Sequence, residues 1–387
     1  MIDTFAAPST ARATYTNVHL QLPDRAVHGS IVVEDGRITE IAEGVVQHGI
    51  DGGGAVVIPG LIELHTDNVE TAIAPRPRVR WPVGSALLFH DRVVTAAGIT
   101  TVCDAISIGE STSGASRLEF LEPVVAALDA AIAAGRLAAD HRLHLRCELG
   151  YADLLAVIER FAGHPRLLLL SLMDHTPGQR QFADVERFES YYTAKYGVPR
   201  DRISALVEKL QRNQREIVPA NRAGIVALAR ERGIPLATHD DGTLEHVAEA
   251  VADGAVIAEF PTTLEAARAA HEAGMAVLMG SPNLVLGGSQ SGNVGARELV
   301  DAGLVDVFSS DYVPLSLVQV PFTLAALTGK PLFETLRCVT SAPAEAIGLG
   351  DDRGSIAIGK RADLAFVDAS EPTVRVAAVL RDGVRVA

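Results

Sequence analysis

The chain has 387 residues, 48% hydrophobic and 21% charged, with few aromatics and much alanine and valine; this is the balance of a soluble α/β protein, not of a disordered one. Its 34 Lys and Arg stand against 48 Asp and Glu, a net charge of −14, which argues against nucleic acid or an anionic membrane surface as the main partner. Cys103, Cys147 and Cys338 are far apart, match no zinc or disulfide spacing, and read as reduced thiols in a cytoplasm. The N-terminal stretch lacks a signal-peptide core, and nothing approaches the ~18 apolar residues of a membrane span.

In chain order, "TNVHLQL" and "GSIVVEDGRITEIAEG" are short strand-like runs, with Asp35-Gly36 as a tight hairpin turn. The C-terminal "GSIAIGKRADLAFVD" and "VRVAAVLRDGVRVA" read the same way around Gly359 and Asp382-Gly383. The two β fragments are expected to form one discontinuous module. Between them strand and helix signals alternate from about Val56 to about Ile347. The strand candidates are "AVVIPGLIELH", "GITTVCDAIS", "RLHLRCE", "RLLLLSLMDH", "IPLATHD", "AVIAEF", "MAVLMG" and "VDVFSSD". From Arg117 on, Leu118, Leu121, Val124, Val125, Leu128 and Ile132 recur at helical spacing up to Gly135, and Ser116 with Glu119 and Thr262 with Glu265 are spaced as capping boxes. Eight such units predict a (β/α)8 barrel, and no Gly-rich dinucleotide fingerprint favours a doubly wound sheet. The segment Thr176 to Pro219 is longer than a normal connection and is expected to be an inserted lid or substrate-contacting element.

In such barrels chemistry sits at the C-terminal ends of the strands. Those ends carry His65 and Asp67 (strand one), Glu148 (three), Asp174 and His175 (four), His239, Asp240 and Asp241 (five), Glu259 (six) and Asp311 (eight). His65 and Asp67, two apart on a strand, are expected to face the same way. One histidine at a strand end is commonly only packed or hydrogen-bonded, but three histidines and three carboxylates on one face would stay repelled or unsatisfied without a cation. The expected ligands are His65, Asp67, Glu148, His175, His239 and Asp311, holding one or two divalent ions, zinc first and manganese or iron next. Glu259, Asp174 and Asp240 are further candidates, for the metal or for the residues around it. Asp311 is also the expected general base, and the other nine histidines are read as structural.

The strings "VVIPGLIELHTD" and "TSAPAEAIGLGDDRGSIAIGKRADLAFVD" resemble the amidohydrolase superfamily from the first barrel strand to the end of the chain. The resemblance implies a (β/α)8 metallo-hydrolase barrel with a small composite β-sandwich, here divided as residues 1–58, 59–347 and 348–387. It also implies one or two divalent metals and a carboxylate such as Glu148 bridging them. Where the superfamily usually has HxH, this chain has His65-Thr66-Asp67. Together with "RCELG", "DHTPGQRQF", "ATHDDGT", "GSPNLVLGGSQSGNVGA" and "SSDYVPLSL", this departure resembles a branch that cleaves a ribose 5-triphosphate in phosphonate breakdown and releases pyrophosphate. Hydrolysis of a C-N bond by a cyclic amidase, deacetylase or deaminase is the alternative.

A triphosphate favours forked Arg, Lys and backbone N-H groups in Gly-rich turns. Asn68, Arg76, Arg180, Lys195, Asn283, Gly288, Ser289 and Asn293 are therefore the expected substrate contacts, with Arg78 a weaker one. The partner is a small phosphorylated molecule, not nucleic acid or membrane, and the protein is expected to be a homo-oligomer.

Overall fold

A computed structural model describes residues 12–76, 79–109, 118–180, 188, 200–289, 292–371 and 373–387. Five strands open the chain: β1 (Ala13–Gln21), β2 (Ala26–Glu34), β3 (Arg37–Glu43), β4 (Ile50–Asp51) and β5 (Val56–Pro59). Eight follow, mostly separated by helices: β6 (Leu61–Thr66), β7 (Ile99–Ile108), β8 (Asp140–Glu148), β9 (Leu167–Met173), β10 (Leu236–His239), β11 (Ile257–Glu259), β12 (Ala276–Gly280) and β13 (Val307–Ser309). Three close it: β14 (Leu364–Asp368), β15 (Arg375–Arg381) and β16 (Val384–Arg385).

The two ends of the chain share one mixed sheet in the order β16-β15-β14-β5-β1-β2-β3, with β4 also paired to β1. Its core is apolar and its own, including Val18, Leu20, Ile31, Ile38, Leu364 and Phe366. The turn Asp35-Gly36 has φ of +51° and +77°, and Asp382-Gly383 has +49° and +72°. Positive φ at both central positions suits the right-handed twist of hairpin strands, which is why an Asp-Gly pair occupies each turn.

One run divides differently from the sequence expectation. Residues 55–65 read as one barrel strand, yet the chain breaks at Pro59-Gly60. β5 pairs with β1 and β14 in the terminal sheet, and β6 pairs with β7 in the barrel. A side chain at Gly60 would come within 2.2 Å of Thr100 Oγ1, so only glycine lets the chain cross from one sheet to the other there. Both halves are apolar, so hydrophobicity alone does not mark the break.

β6 to β13 form a parallel sheet in sequential order. Side chains and backbone close the ring between its first and last strands. The Ser310 amide donates to Glu63 Oε2 at 2.6 Å, the Ser309 hydroxyl to Glu63 and to the His65 carbonyl, and Thr66 Oγ1 to the Asp311 carbonyl at 3.0 Å. All ten residues of β7 are buried, as expected of a parallel strand covered on both faces. On β8, Leu143, Leu145 and Cys147 pack in the core shared with the helices, which leaves His144, Arg146 and Glu148 on the other face. A second apolar cluster, with Ile62, Cys103, Leu169, Ala237, Ile257, Leu278 and Val307, draws on strands all around the ring and so fills the lumen.

The helix Leu118–Ala133 ends before Gly135, whose φ is +63°. Ser116 lies outside the described residues. The helix Leu264–Glu272 is capped by Thr263, whose Oγ1 accepts from the Ala266 amide, one position later than the sequence pattern places the cap. Thr262 instead donates to the Asp241 carbonyl. In the expected insertion, residues 181–187 and 189–199 fall outside the described set. The helices Arg200–Glu216 and Val218–Arg232 follow, and Phe188, Ile203 and Leu210 make a small apolar cluster. Among the described residues no helix is long and apolar enough to cross a membrane.

Candidate metal centre

Parallel strands bring all their C-terminal ends to one face, and the polar ends gather there. β11 supplies Glu259, fully buried, whose Oε1 and Oε2 each lie 3.1 Å from an imidazole Nδ1, of His65 and His239 respectively. The two rings stack with centroids 5.5 Å apart, and Phe260 stands edge-on to both. Burial, together with the positive charge of Arg146, keeps His65 well below the ordinary imidazole range, and burial holds His239 at about 3, so both rings are neutral. A neutral ring that donates Nδ1-H to Glu259 leaves its Nε2 lone pair free to ligate.

A second set lies beside the first. His175 Nδ1 is 2.6 Å from Glu148 Oε2, and the His175 amide donates to Glu148 Oε1. Asp240 Oδ2 is 3.4 Å from His239 Nε2 and 3.9 Å from His175 Nε2. Potential ligand atoms of His65, His239 and Glu259, and likewise of His175, His239 and Asp240, lie within 4.8 Å of one another. His239 belongs to both groups. Nitrogen and carboxylate donors without thiolate, sharing one histidine, fit one or two divalent ions of the zinc, manganese or iron type.

The carboxylates carry the cost of this crowding. Burial, with Asp67 adding repulsion, pushes Asp311 up to about 7, and burial pushes Asp240 to about 6. Burial would lower His175, yet Glu148 beside it moves the ring's pKa up instead. Backbone conformation is unusual at the same place: Asp240, Phe260 and Asp311, each just after a strand, have φ of +57°, +52° and +53°. Left-handed non-glycine residues are uncommon and collect where the surrounding fold holds a functional geometry.

Not every expected site residue sits in this ring. Asp67 lies past the end of β6, at the start of the helix Asn68–Ile73, and like Glu148 and Asp311 joins neither ligand group, although its charge acts on Asp311. Asp174 accepts from the Thr176 amide and shapes the turn after β9. Asn68 donates to Thr66 Oγ1 and to the Asp311 carbonyl, tying strand one to strand eight. Arg180, offered to the substrate by the sequence, is buried with Nη1 on Asp241, Thr238 and the His239 carbonyl, and braces the end of β10. Arg76 is exposed and makes no ion pair among the described residues. Asn283 accepts from the Ala296 amide, Ser289 from the Asn293 amide, and Gly288 is exposed in the same turn. Lys195 and Arg78 lie outside the described residues.

Three residues of the mouth have no place in the sequence reading. Glu63 is fully buried, pushed up to about 7 by burial, and accepts from the His65 and Ser310 amides and the Ser309 hydroxyl. His144 donates Nδ1-H to the Leu64 carbonyl, which leaves Nε2 to accept from Ser171, and burial holds it at about 3 beneath His65. Arg146 is 9% exposed, and its Nε points to Met173 Sδ at 3.3 Å. Its charge is felt by His65, His175, His239, Asp240 and Asp311, yet among the described residues it makes no ion pair with a carboxylate. The available signal was the spacing in "RLHLRCE", which sets His144, Arg146 and Glu148 on one face of a strand.

A third set, His90, Asp104 and His141, also has ligand spacing but lies away from the mouth, between the helix Val83–Ala96 and strands β7 and β8. Its atoms are bound to each other: His90 Nε2 to Asp104 Oδ1 at 2.8 Å, His141 Nδ1 to Asp104 Oδ2 at 2.7 Å, and His141 Nε2 to Asp91 at 3.2 Å. This is a charge network that pins a helix to the barrel, with the buried His90 Nδ1 left without a hydrogen-bond partner among the described residues.

Comparison with known proteins agrees with this architecture. The family profile described as "Amidohydrolase family" matches residues 95–386. The chain belongs to the amidohydrolase family. A curated relative from Escherichia coli (strain K12), alpha-D-ribose 1-methylphosphonate 5-triphosphate diphosphatase, is 45% identical over 374 residues, 96% of this chain and 99% of the relative. Among solved structures, a putative prolidase from Bifidobacterium longum aligns with TM-score 0.64 at 18% identity, covering 98% of this chain and 95% of that one. N-acetylglucosamine-6-phosphate deacetylase from Pasteurella multocida aligns with TM-score 0.64 at 14% identity, covering 96% and 99%. At such identities these two share the fold. Members of the amidohydrolase family are hydrolases that typically work with divalent metals, and the mouth of this barrel holds donor groups of the right kind.

Proposed function

We propose that the protein hydrolyses alpha-D-ribose 1-methylphosphonate 5-triphosphate to 5-phosphoribosyl 1-methylphosphonate and pyrophosphate, as a step of phosphonate catabolism. The observation that carries this reading is the 45% identity with the Escherichia coli diphosphatase along nearly the whole of both chains. The barrel, which begins after the break at Pro59-Gly60 and runs to about residue 347, carries the chemistry. His65, His175 and His239 with Glu148, Asp240 and Asp311 are the proposed ligands of one or two ions, zinc in preference to manganese or iron, and Asp67 is an additional candidate ligand. Glu259 is the carboxylate that orients His65 and His239. A divalent ion bound there would neutralise phosphate oxygens and make water more acidic.

The chain's own residues have separate tasks. Asp311 takes the proton of the attacking water while a P-O bond to the pyrophosphate group breaks and that group departs with the bonding electron pair. Burial that lifts a carboxyl toward neutrality suits a base working near pH 7. Arg146 faces the same ring without a carboxylate partner among the described residues, so its guanidinium is available to the phosphate oxygens that gain charge in the transition state. Asn68 holds the Asp311 backbone in place. The buried free cysteines accord with a reducing, cytoplasmic setting.

Incubating the purified metal-loaded protein with the ribose triphosphate, and separately with a panel of cyclic amides and N-acetyl sugars, tests the proposal. Pyrophosphate appearing only with the triphosphate is the expected result. Turnover of an amide with no pyrophosphate from the triphosphate would overturn it.

A further inference from the structure

At the opposite end of the barrel from the metal centre lies a second polar cavity, of about 260 Å³, lined among others by Asp140, Arg142, Arg166, Arg361, Arg381 and Asp382. Asp140 opens β8 and Glu148 ends it, so the two sites stand roughly 26 Å apart along that strand. The cavity is bounded on one side by the barrel and on the other by residues of the terminal sheet.

The lining has four arginines and His141 against two aspartates; His141 is held by Asp104 and Asp91, and Arg361 also gives Nε to Asp352 at 2.6 Å, so the arginines outnumber the carboxylates that they meet, in a chain whose net charge is −14. The aspartates already have partners. Asp140 receives Arg142 Nη2 at 2.9 Å, Arg166 Nη1 at 2.8 Å and Arg353 Nη1 at 2.8 Å, and Asp382 receives Arg361 Nη1 at 2.5 Å. Donors remain. Arg166 uses only Nη1, and Arg381 gives Nη1 to the Ala139 carbonyl while its buried Nε has no hydrogen-bond acceptor among the described residues, the nearest carboxylate oxygen being Asp382 Oδ2 at 3.9 Å. A buried N-H without an acceptor is costly, and several guanidinium forks around one small space match a tetrahedral oxyanion.

We propose that this cavity binds a free phosphate-type anion, inorganic phosphate or pyrophosphate, at a site separate from the metal centre. The excess of guanidinium groups suits an anion, and the volume is below that of pockets for larger organic ligands. Because the ligating arginines come from both the barrel and the terminal sheet, the anion ties the two together and stabilises the folded chain by mass action, increasingly as its concentration rises above Kd.

Equilibrium dialysis of the metal-loaded full chain against radiolabelled inorganic phosphate, repeated on His239→Ala, Arg166→Gln, Arg166→Lys and Arg381→Gln, tests this. One phosphate per chain persists in His239→Ala, weakens at least about tenfold in Arg166→Gln and Arg381→Gln, and weakens less in Arg166→Lys, which keeps the charge. Pyrophosphate displaces it more strongly than ribose 5-phosphate; the reverse order would overturn the assignment to a free anion. Loss of all binding in His239→Ala, with the arginine variants unchanged, would overturn the site itself. Hydrogen exchange on the His239→Ala protein gives a readout that needs no arginine variant: amides of residues 136–142 and 381–383 slow on adding phosphate, and unchanged rates there contradict the proposal.

Discussion

His65 and Glu259 are 194 positions apart in the chain and 3.1 Å apart in the fold. The contact spans the barrel from strand one to strand six, and the same carboxylate holds His239 with its other oxygen. One buried side chain therefore fixes the tautomer of two proposed ligands. Glu259→Ala is expected to lower metal affinity or turnover about 10- to 100-fold, the usual consequence of losing an orienting carboxylate. Metal analysis of the purified variant checks this, and a full metal complement with unchanged rate would contradict it.

Arg146 is expected to act on phosphate and not on metal binding. Arg146→Met should reduce kcat/KM for the triphosphate by roughly 100-fold or more while leaving metal content unchanged, with Arg146→Lys intermediate. Metal analysis beside steady-state kinetics separates the two roles. A variant that loses its metal, or keeps its rate, speaks against a phosphate contact.

Glu63 joins the first strand to the last by accepting from two amides and a hydroxyl. Glu63→Gln keeps the shape but replaces one acceptor oxygen with an NH2 group facing donors. The expected loss is about 1 to 3 kcal/mol of folding stability, measured by denaturant unfolding of the metal-free chain. Stability equal to the parent would show that the ring does not depend on this carboxylate.

The network of His141 with Asp104 and Asp91 predicts an alkaline loss of stability. Burial opposes protonation of His141, but the two carboxylates raise it to about 9, above the ordinary 6.5. A raised histidine contributes fully below pH 6.5, and the contribution fades as pH climbs through about 9. Asp104, held well below its ordinary range by His141 despite burial, gives the opposite limb, lost only in strong acid. Unfolding free energies measured from pH 6 to 10 should therefore fall toward the alkaline end, and His141→Asn should be less stable at pH 6 and flatter over that range. A parent curve as flat as the variant's would remove the charged pair from the account.

Much of this site is legible in the sequence because barrel strands end in their functional residues. His65, Glu148, His175, His239, Glu259 and Asp311 can each be read as the last polar residue of an apolar run. Their convergence then follows from the parallel topology. What stays hidden depends on contacts between strands. Nothing near Arg180 in the chain announces that Asp241 and the His239 carbonyl will take its guanidinium, and nothing near Arg146 says that no carboxylate will. The break at Gly60 is invisible for a different reason: two buried strands of different sheets have the same apolar composition, and only the closeness of Thr100 separates them. Asp67 shows a third limit, since two-residue spacing sets a shared face only while the strand continues, and β6 ends at Thr66.

The most direct measurement is phosphorus NMR of the ribose triphosphate incubated with the metal-loaded protein, with and without a chelator and with Asp311→Asn in parallel. Pyrophosphate and the 5-phosphoribosyl phosphonate are expected in equal amounts. Both should be lost on chelation and regained with Zn²⁺ or Mn²⁺, and both should fall at least about 100-fold in Asp311→Asn. Pyrophosphate release that survives chelation, or an intact triphosphate beside a fully metallated protein, would contradict it.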